Sequence, residues 1–270
     1  MWKKVQETVA FIQQKIQNKP TIGIVLGSGL GNLVDDMEVE TIIPYSDILN
    51  FPVSTVQGHA GRLVIGTLEG KKVIAMQGRF HYYEGYSMQE VTFPVRVMKY
   101  LGLQNLIVSN ASGGVNPSFV VGDVMIITDH INMMPEHPLR GKNDERFGPR
   151  FVNMSEPYSR KMISKATEIA KNLNIEVKKG VYLGLQGPTF ETLAEYKMVK
   201  AVGADCVGMS TVPEVIVAKH MDMDCFGVSV ITDMGDVENI DEVNHEEVLK
   251  AAKKAEPHVR NLIKNLIINL

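Results

Sequence analysis

The densest chemistry in this chain lies in QGRFHYYEGY, residues 77–86, where an arginine, a histidine, three tyrosines and a glutamate share ten positions. Arg79 and His81 are two apart, so in an extended segment they project to the same side. Two cationic groups aimed alike can hold an anion. A second candidate is IVLGSGLG, residues 24–31, an apolar run that breaks into three glycines and one serine, Ser28. The bare backbone N–H groups of such a turn form a nest for an anion. Taken together the two segments suggest a phosphate site. The plainer alternatives are a tight strand-to-helix turn at the glycines and a half-exposed aromatic loop in which Arg79 pairs with Glu84. A dinucleotide fingerprint is not met: after Gly27 and Gly29 the third glycine is Gly31, one position early, and Asn32 stands where it should be. Asp47, the acid about 20 positions on, follows Pro44 and does not read as the end of a buried strand. The P-loop pattern fails outright, because no Gly-Lys-Ser/Thr follows.

These residues need elements to position them. Short apolar runs at 21–26, 62–68, 72–76, 105–109, 124–128, 180–183, 204–208 and 226–232 read as strands. Helical spacing marks 88–101, 158–172, 192–202, 213–221 and 245–270, with Pro94 and Pro257 as bending points in the first and last. The N-terminal segment carries Val5, Val9, Ile12 and Ile16 on one face and reads as an amphipathic helix rather than a signal peptide. Alternating strands and helices predict a mixed or parallel sheet covered on both sides, and Glu69-Gly70 predicts a hairpin. Residues 132–157 show no periodicity, and a loop that long in a compact domain is usually functional or lies at an interface. Several strands run into small polar residues: Ala111-Ser112-Gly113-Gly114, Thr211-Val212-Pro213 and Asp233. Ligands of open α/β sheets bind at such carboxyl ends.

Composition narrows the classes. The chain has 270 residues, 44% hydrophobic and 22% charged, with a net charge of −3. These values fit an ordinary globular protein, taken here as one domain over 1–270, and give no reason to expect nucleic acid or an anionic membrane as partner. Cys206 and Cys225, both in apolar runs, read as buried reduced thiols of a cytoplasmic protein, with a disulfide between neighbouring strands as the alternative. No apolar run is long enough to span a bilayer.

GSGLG, QGRFHYYEGY, NASGGVNP, PLRGKNDERFG, GPTFET, GMSTVPEV and NHEEVL, in this order from about residue 22 to 249, resemble the trimeric purine nucleoside phosphorylases. The resemblance implies an α/β single domain whose mixed sheet partly closes into a barrel surrounded by helices, and a homotrimer with a site near each subunit boundary. It implies phosphorolysis of purine (deoxy)ribonucleosides to free base and (deoxy)ribose 1-phosphate, with phosphate as co-substrate and no metal or cofactor. By position, Ser28, Arg79, His81 and Ser210 match the phosphate ligands, with backbone support near Ala111 and His59 at the edge. Glu84 would orient its neighbours. Tyr83 and Met209 match ribose contacts, His245 the group facing the 5′-hydroxyl, and Glu191 and Phe190 the purine contacts. Phe151 matches an aromatic that reaches into the adjacent subunit's site. His130, His137, His220 and His258 match no role.

Position 233 departs from the family pattern. Members specific for 6-oxopurines read Ile-Thr-Asn here, whereas this chain reads Ile-Thr-Asp, as do relatives acting on 6-aminopurines, including methylthioadenosine phosphorylases. Those relatives lack a histidine at the position of His245 and usually carry Thr in place of Ser210. A methylthioadenosine phosphorylase-like activity is therefore the alternative. Two further classes, a nicotinamide-dependent oxidoreductase and a nucleoside-binding module without catalysis, are disfavoured by the glycine spacing and by the second, anionic site respectively.

Overall fold

The structure is a computed structural model that describes residues 1–56, 58–235 and 244–270; Gln57 of the His59 motif and Asp236, next to the Asp233 motif, lie outside it. The chain enters through helix α1 (Trp2–Gln13) and lays down β1 (Ile22–Leu26), β2 (Glu38–Pro44), β3 (Arg62–Leu68) and β4 (Lys71–Gln77). Helices α2 (Met88–Val91) and α3 (Phe93–Leu101) lead to β5 (Asn105–Gly114) and β6 (Val124–Asn132). After the long loop come α4 (Arg160–Asn172), β7 (Val177–Gly184), α5 (Leu193–Ala201) and β8 (Cys206–Gly208), then α6 (Val212–His220), β9 (Asp224–Met234) and α7 (His245–Ile268).

Among the described residues nine strands form one mixed sheet in the order β2-β3-β4-β1-β5-β8-β7-β6-β9. β9 pairs again with β5, so β5, β8, β7, β6 and β9 close into a five-stranded barrel. Alternation along the inner strands explains the two-sided burial. Val25, Ile74, Met76, Leu106 and Val108 pack towards α1, α3 and α6. Ile22, Ile24, Val73, Ala75 and Ile107 pack with α4 and α7 on the opposite face. Glu69 (φ 50°) and Gly70 (φ 76°) turn the β3–β4 hairpin through the left-handed region, as a two-residue type I′ turn demands. Among the described residues no helix is long and apolar enough to cross a membrane, and both cysteines are buried and free.

Three expectations change. β2 is absent from the sequence reading because it is an edge strand: Glu38 and Glu40 face solvent and only Ile43 is buried, so no alternation announces it. The helix expected over 88–101 is broken at Thr92, because Pro94 has no N–H to donate to the Glu90 carbonyl and sits instead in the first turn of α3. Pro257, by contrast, sits inside an unbroken α7. The glycines after residue 110 do not end β5, which runs to Gly114 inside the barrel wall. A Cβ on Gly114 would lie 2.7 Å from the Met234 sulfur and 2.9 Å from Ile231, so these glycines permit close strand approach.

Candidate active site

The pocket that gathers the candidate residues is a cavity of about 290 Å³ where β1, β4, β5, β8 and β9 meet the start of α6 and α7. Ser28, Arg79, His81, Ala111 and Ser210 line one end, and Phe190, Glu191 and Asp233 the other, with Tyr83, Met209 and His245 in the same wall.

At the first end, Gly27 lets the chain leave β1 against its neighbours: a Cβ there would sit 2.6 Å from the Ser109 carbonyl and 2.9 Å from Arg79 Nη1. The loop is less of an open nest than expected, since the Gly27 N–H donates to Ser109 Oγ (3.3 Å) and the Asn32 N–H to Glu256 (2.8 Å). The Ser28 hydroxyl lies 3.3 Å from His59 Nε2. Arg79 is only 1% exposed. It pairs not with Glu84 but with Glu214 on α6, Nε to Oε1 at 3.0 Å and Nη2 to Oε2 at 2.8 Å, while Nη1 donates to the Ser109 carbonyl at 2.5 Å. A guanidinium has five N–H donors. Three are consumed in fixing its plane, and one on each Nη remains for a ligand.

Glu84 instead accepts from the His81 N–H (2.7 Å) and stands 3.1 Å from His81 Nδ1, while its other oxygen takes the Thr55 N–H (2.8 Å) and hydroxyl (2.6 Å). Burial opposes its charge, yet these bonds pull its carboxyl down to about 2. A carboxylate at Nδ1 assigns the proton to that nitrogen and leaves Nε2 as an acceptor, since burial also pushes the His81 ring towards its neutral form. The ring is held between His59 (centroids 5.4 Å, 27°) and Tyr83 (4.7 Å, 13°). Burial, aided by His81 and Arg79, pushes His59 down to about 4.

Ser210 is aimed by strain. Thr211 has φ 69° and ψ −54°, and the Val212 N–H returns to the Ser210 carbonyl at 2.7 Å, a γ-turn that a β-branched residue adopts only under constraint. The constraint is buried and polar: Asn110 Nδ2 donates to Thr211 Oγ1 (2.8 Å), and Asn110 Oδ1 accepts from Ser229 (2.6 Å), which meets Ser112 Oγ (2.6 Å). Ser210 Oγ stands 3.1 Å from Thr211 Oγ1 immediately before α6, which puts the cavity-lining Ser210 beside the positive end of that helix's dipole.

At the other end, a bulge re-aims β9. Ser112 pairs with Ile231 but Gly113 with Asp233, so Thr232 is the extra residue, and both Thr232 and Asp233 line the cavity. Asp233 Oδ1 accepts from Thr232 (3.0 Å) and Oδ2 from the Tyr196 hydroxyl (3.4 Å). Burial pushes the pKa of its carboxyl up from the ordinary carboxylate value, against the two hydrogen bonds. Glu191 precedes the Thr192–Glu195 capping box of α5. Burial, reinforced by the charges of Asp233 and Glu195, pushes it up to about 7. The pocket thus holds two carboxyls that do not both ionise readily near neutrality.

His59 sits behind Ser28 and His81 rather than in the cavity wall, and Phe151 lies outside it, 89% exposed on the long loop. That loop is itself anchored, through Arg146 over the Trp2 ring and the buried Phe147. His130, His137, His220 and His258 lie away from the cavity. Sequence reasoning missed Glu214, Asn110, Thr211 and Tyr196. Glu214 had a signal, a lone acid inside the apolar run VPEVIVA, which burial makes costly without a partner. The others carry no local mark.

A family profile described as the phosphorylase superfamily matches residues 21–268. The purine nucleoside phosphorylase 1 of Bacillus subtilis (strain 168) is 52% identical over 264 residues, covering 98% of this chain and 97% of that protein. The purine nucleoside phosphorylase of Mus musculus is 49% identical, covering 93% and 89%. Among solved structures, isoform 2 of the Schistosoma mansoni enzyme, in complex with cytosine and ribose-1-phosphate, superposes with a TM-score of 0.95 at 42% identity, covering 100% of this chain and 97% of that chain. A Schistosoma mansoni purine nucleoside phosphorylase in complex with adenosine gives 0.94 at 43%, covering 99% and 97%. With this agreement over nearly the whole length, the chain belongs to the phosphorylase superfamily and, within it, to the purine nucleoside phosphorylase family.

Proposed function

We propose that this protein catalyses the reversible phosphorolysis of purine (deoxy)ribonucleosides, inosine, guanosine and adenosine among them, to the free base and (deoxy)ribose 1-phosphate. The observation that carries the reading is one cavity with an oxyanion end (Ser28, Arg79, His81, Ser210) facing a pair of carboxyls, Glu191 and Asp233. Phosphate is already a nucleophile, so the protein's work is positioning and electrostatics. The two remaining Arg79 N–H groups, the Ser28 and Ser210 hydroxyls and the backbone at Ala111 hold the anion under C1′. The neutral His81 accepts a phosphate O–H at Nε2, its other nitrogen being tied to Glu84. Tyr83 and Met209 contact the ribose, and His245 the 5′-hydroxyl. Phe190 packs on the base, and Glu191 and Asp233 bind its N1, N7 and 6-substituent as charge moves onto the leaving purine.

This chemistry needs no metal and no nucleotide cofactor. The chain acts as one domain in a cytoplasmic homotrimer, with Phe151, exposed on its own subunit, completing the neighbour's pocket. The experiment is direct: protein with phosphate and inosine, guanosine or adenosine, followed by detection of free base. Cleavage that is equally fast in phosphate-free buffer refutes the mechanism. A second reading, preference for 6-aminopurine substrates as in methylthioadenosine phosphorylases, is favoured by Asp233 alone. Methylthioadenosine as the better substrate would establish it, and His245 and Ser210 speak against it.

A further inference from the structure

We propose that Tyr196 is a specificity-determining residue: its hydroxyl holds Asp233 as an ionised acceptor and thereby admits 6-aminopurines to the pocket. The proposal rests on the phosphorolysis reading above and deepens it. Tyr196 is buried on α5, and its O–H donates to Asp233 Oδ2 at 3.4 Å. Two glycines make the contact possible. A Cβ on Gly235 would collide with the Tyr196 ring, and one on Gly113 would lie 2.8 Å from Asp233 Oδ2. With Thr232 on Oδ1, each Asp233 oxygen accepts one donor from among the described residues, and a carboxylate oxygen with one donor keeps a lone pair for a ligand. Donors aimed at both oxygens favour the charged form.

Among the described residues the other charged group facing this pair is Glu191, before α5, which in turn feels Glu195 on that helix; the basic groups Arg79, His81 and His245 belong to the rest of the cavity wall. Glu191, pushed up to about 7, and Asp233, raised by burial, therefore carry a proton on one carboxyl more readily than a charge on both. An ionised Asp233 sends that proton to Glu191. Asp233 then accepts from a 6-amino group while protonated Glu191 donates to N1, which is the pattern adenine presents. A 6-oxopurine needs the reverse: ionised Glu191 for its N1–H, and protonated Asp233 as a donor to O6 or N7. Removing the tyrosine hydroxyl favours the second arrangement. Tyr196 also lies within reach of Glu191, but its single proton serves one carboxyl at a time.

The test is Tyr196→Phe, which keeps the ring and deletes the hydroxyl, made both alone and with Asp233→Asn. The readout is kcat/KM for adenosine over that for inosine, at saturating phosphate. In the single variant the ratio should fall about tenfold, the weight of one hydrogen bond to a charged group. In the Asp233→Asn background the same substitution should leave the ratio unchanged, because no carboxylate remains to be held. An unchanged ratio in Tyr196→Phe, or an equal fall in both backgrounds, overturns the proposal. Absence of phosphate-dependent cleavage in the parent protein overturns the activity beneath it as well, which separates the two failures.

Discussion

The Arg79–Glu214 pair offers the sharpest test of how the oxyanion end is built. Both side chains are nearly sealed from solvent, 2% and 5% exposed, and joined by two parallel bonds. Removing one partner of a buried pair leaves an uncompensated charge and costs about 3–5 kcal/mol, whereas removing both is often nearly neutral. Arg79→Met and Glu214→Leu should each lose about that much stability, and the double variant much less than their sum. A coupling of at least about 2 kcal/mol is expected from urea unfolding at neutral pH. The kinetic half is more specific. Glu214 lines no part of the cavity, yet Glu214→Leu should raise the KM for phosphate about tenfold or more, because the guanidinium loses two of the bonds that fix its plane, each worth about 1.5–3 kcal/mol. The KM for nucleoside should stay within about twofold, since the change is confined to the anion end. Single effects that add to the double within about 0.5 kcal/mol, or a Glu214 variant with unchanged phosphate use, would refute the reasoning.

Other expectations follow from the same geometry. Asp233→Asn should move kcat/KM preference towards inosine by about tenfold, the cost of one mismatched buried contact; parallel assays with adenosine and inosine check it. At Thr211 the usual order of alanine over glycine should invert: Thr211→Gly should be about 1 kcal/mol more stable than Thr211→Ala, because alanine retains the positive-φ strain, and thermal unfolding of the two decides. Phe151→Ala should leave subunit stability within about 0.5 kcal/mol yet cut nucleoside kcat/KM about tenfold or more if the ring is buried in a neighbour. Sedimentation should then show a trimer, and a fully active monomer refutes that assembly. Burial pushes His59 and His130 down to about 4. The unfolded chain takes up their protons near 6.5 and the folded chain only near 4, so their contribution to stability is lost as pH falls through that window. Glu191, raised to about 7, acts in the opposite sense between about 4.5 and 7, its folded form binding the extra proton. Melting temperatures across this range, with His59→Gln as a control, measure the balance.

What could be read in the chain, and what could not, has physical reasons. β1, β4 and β5 were legible because strands buried on both faces are apolar at consecutive positions, and Glu69-Gly70 because only certain residues tolerate that turn. β2 was illegible because its partner is on one side and solvent on the other. The glycines of β5 were misread as a strand end, since glycine marks both turns and close strand contacts, and only the barrel closure distinguishes them. In the site, Arg79, His81 and Glu84 were visible because they crowd one segment. Their true pairing was not, because Glu214 comes to Arg79 from a helix far along the sequence. Asn110 and Tyr196 act through hydrogen bonds across elements, which no local pattern encodes.

The fixed Arg79–Glu214 unit has one more consequence. As a pair it carries no net charge, and the chain around it is slightly acidic overall. An approaching oxyanion meets oriented N–H and O–H dipoles, whose field fades within a few ångströms, rather than a bare cation felt across the solvent. Capture of the anion should therefore proceed without long-range steering, and its association rate should change little with ionic strength. Recognition then depends on matching donors and acceptors one by one. A neutral His81 awaiting an O–H gives hydrogen phosphate an advantage over sulfate, which has no proton to offer.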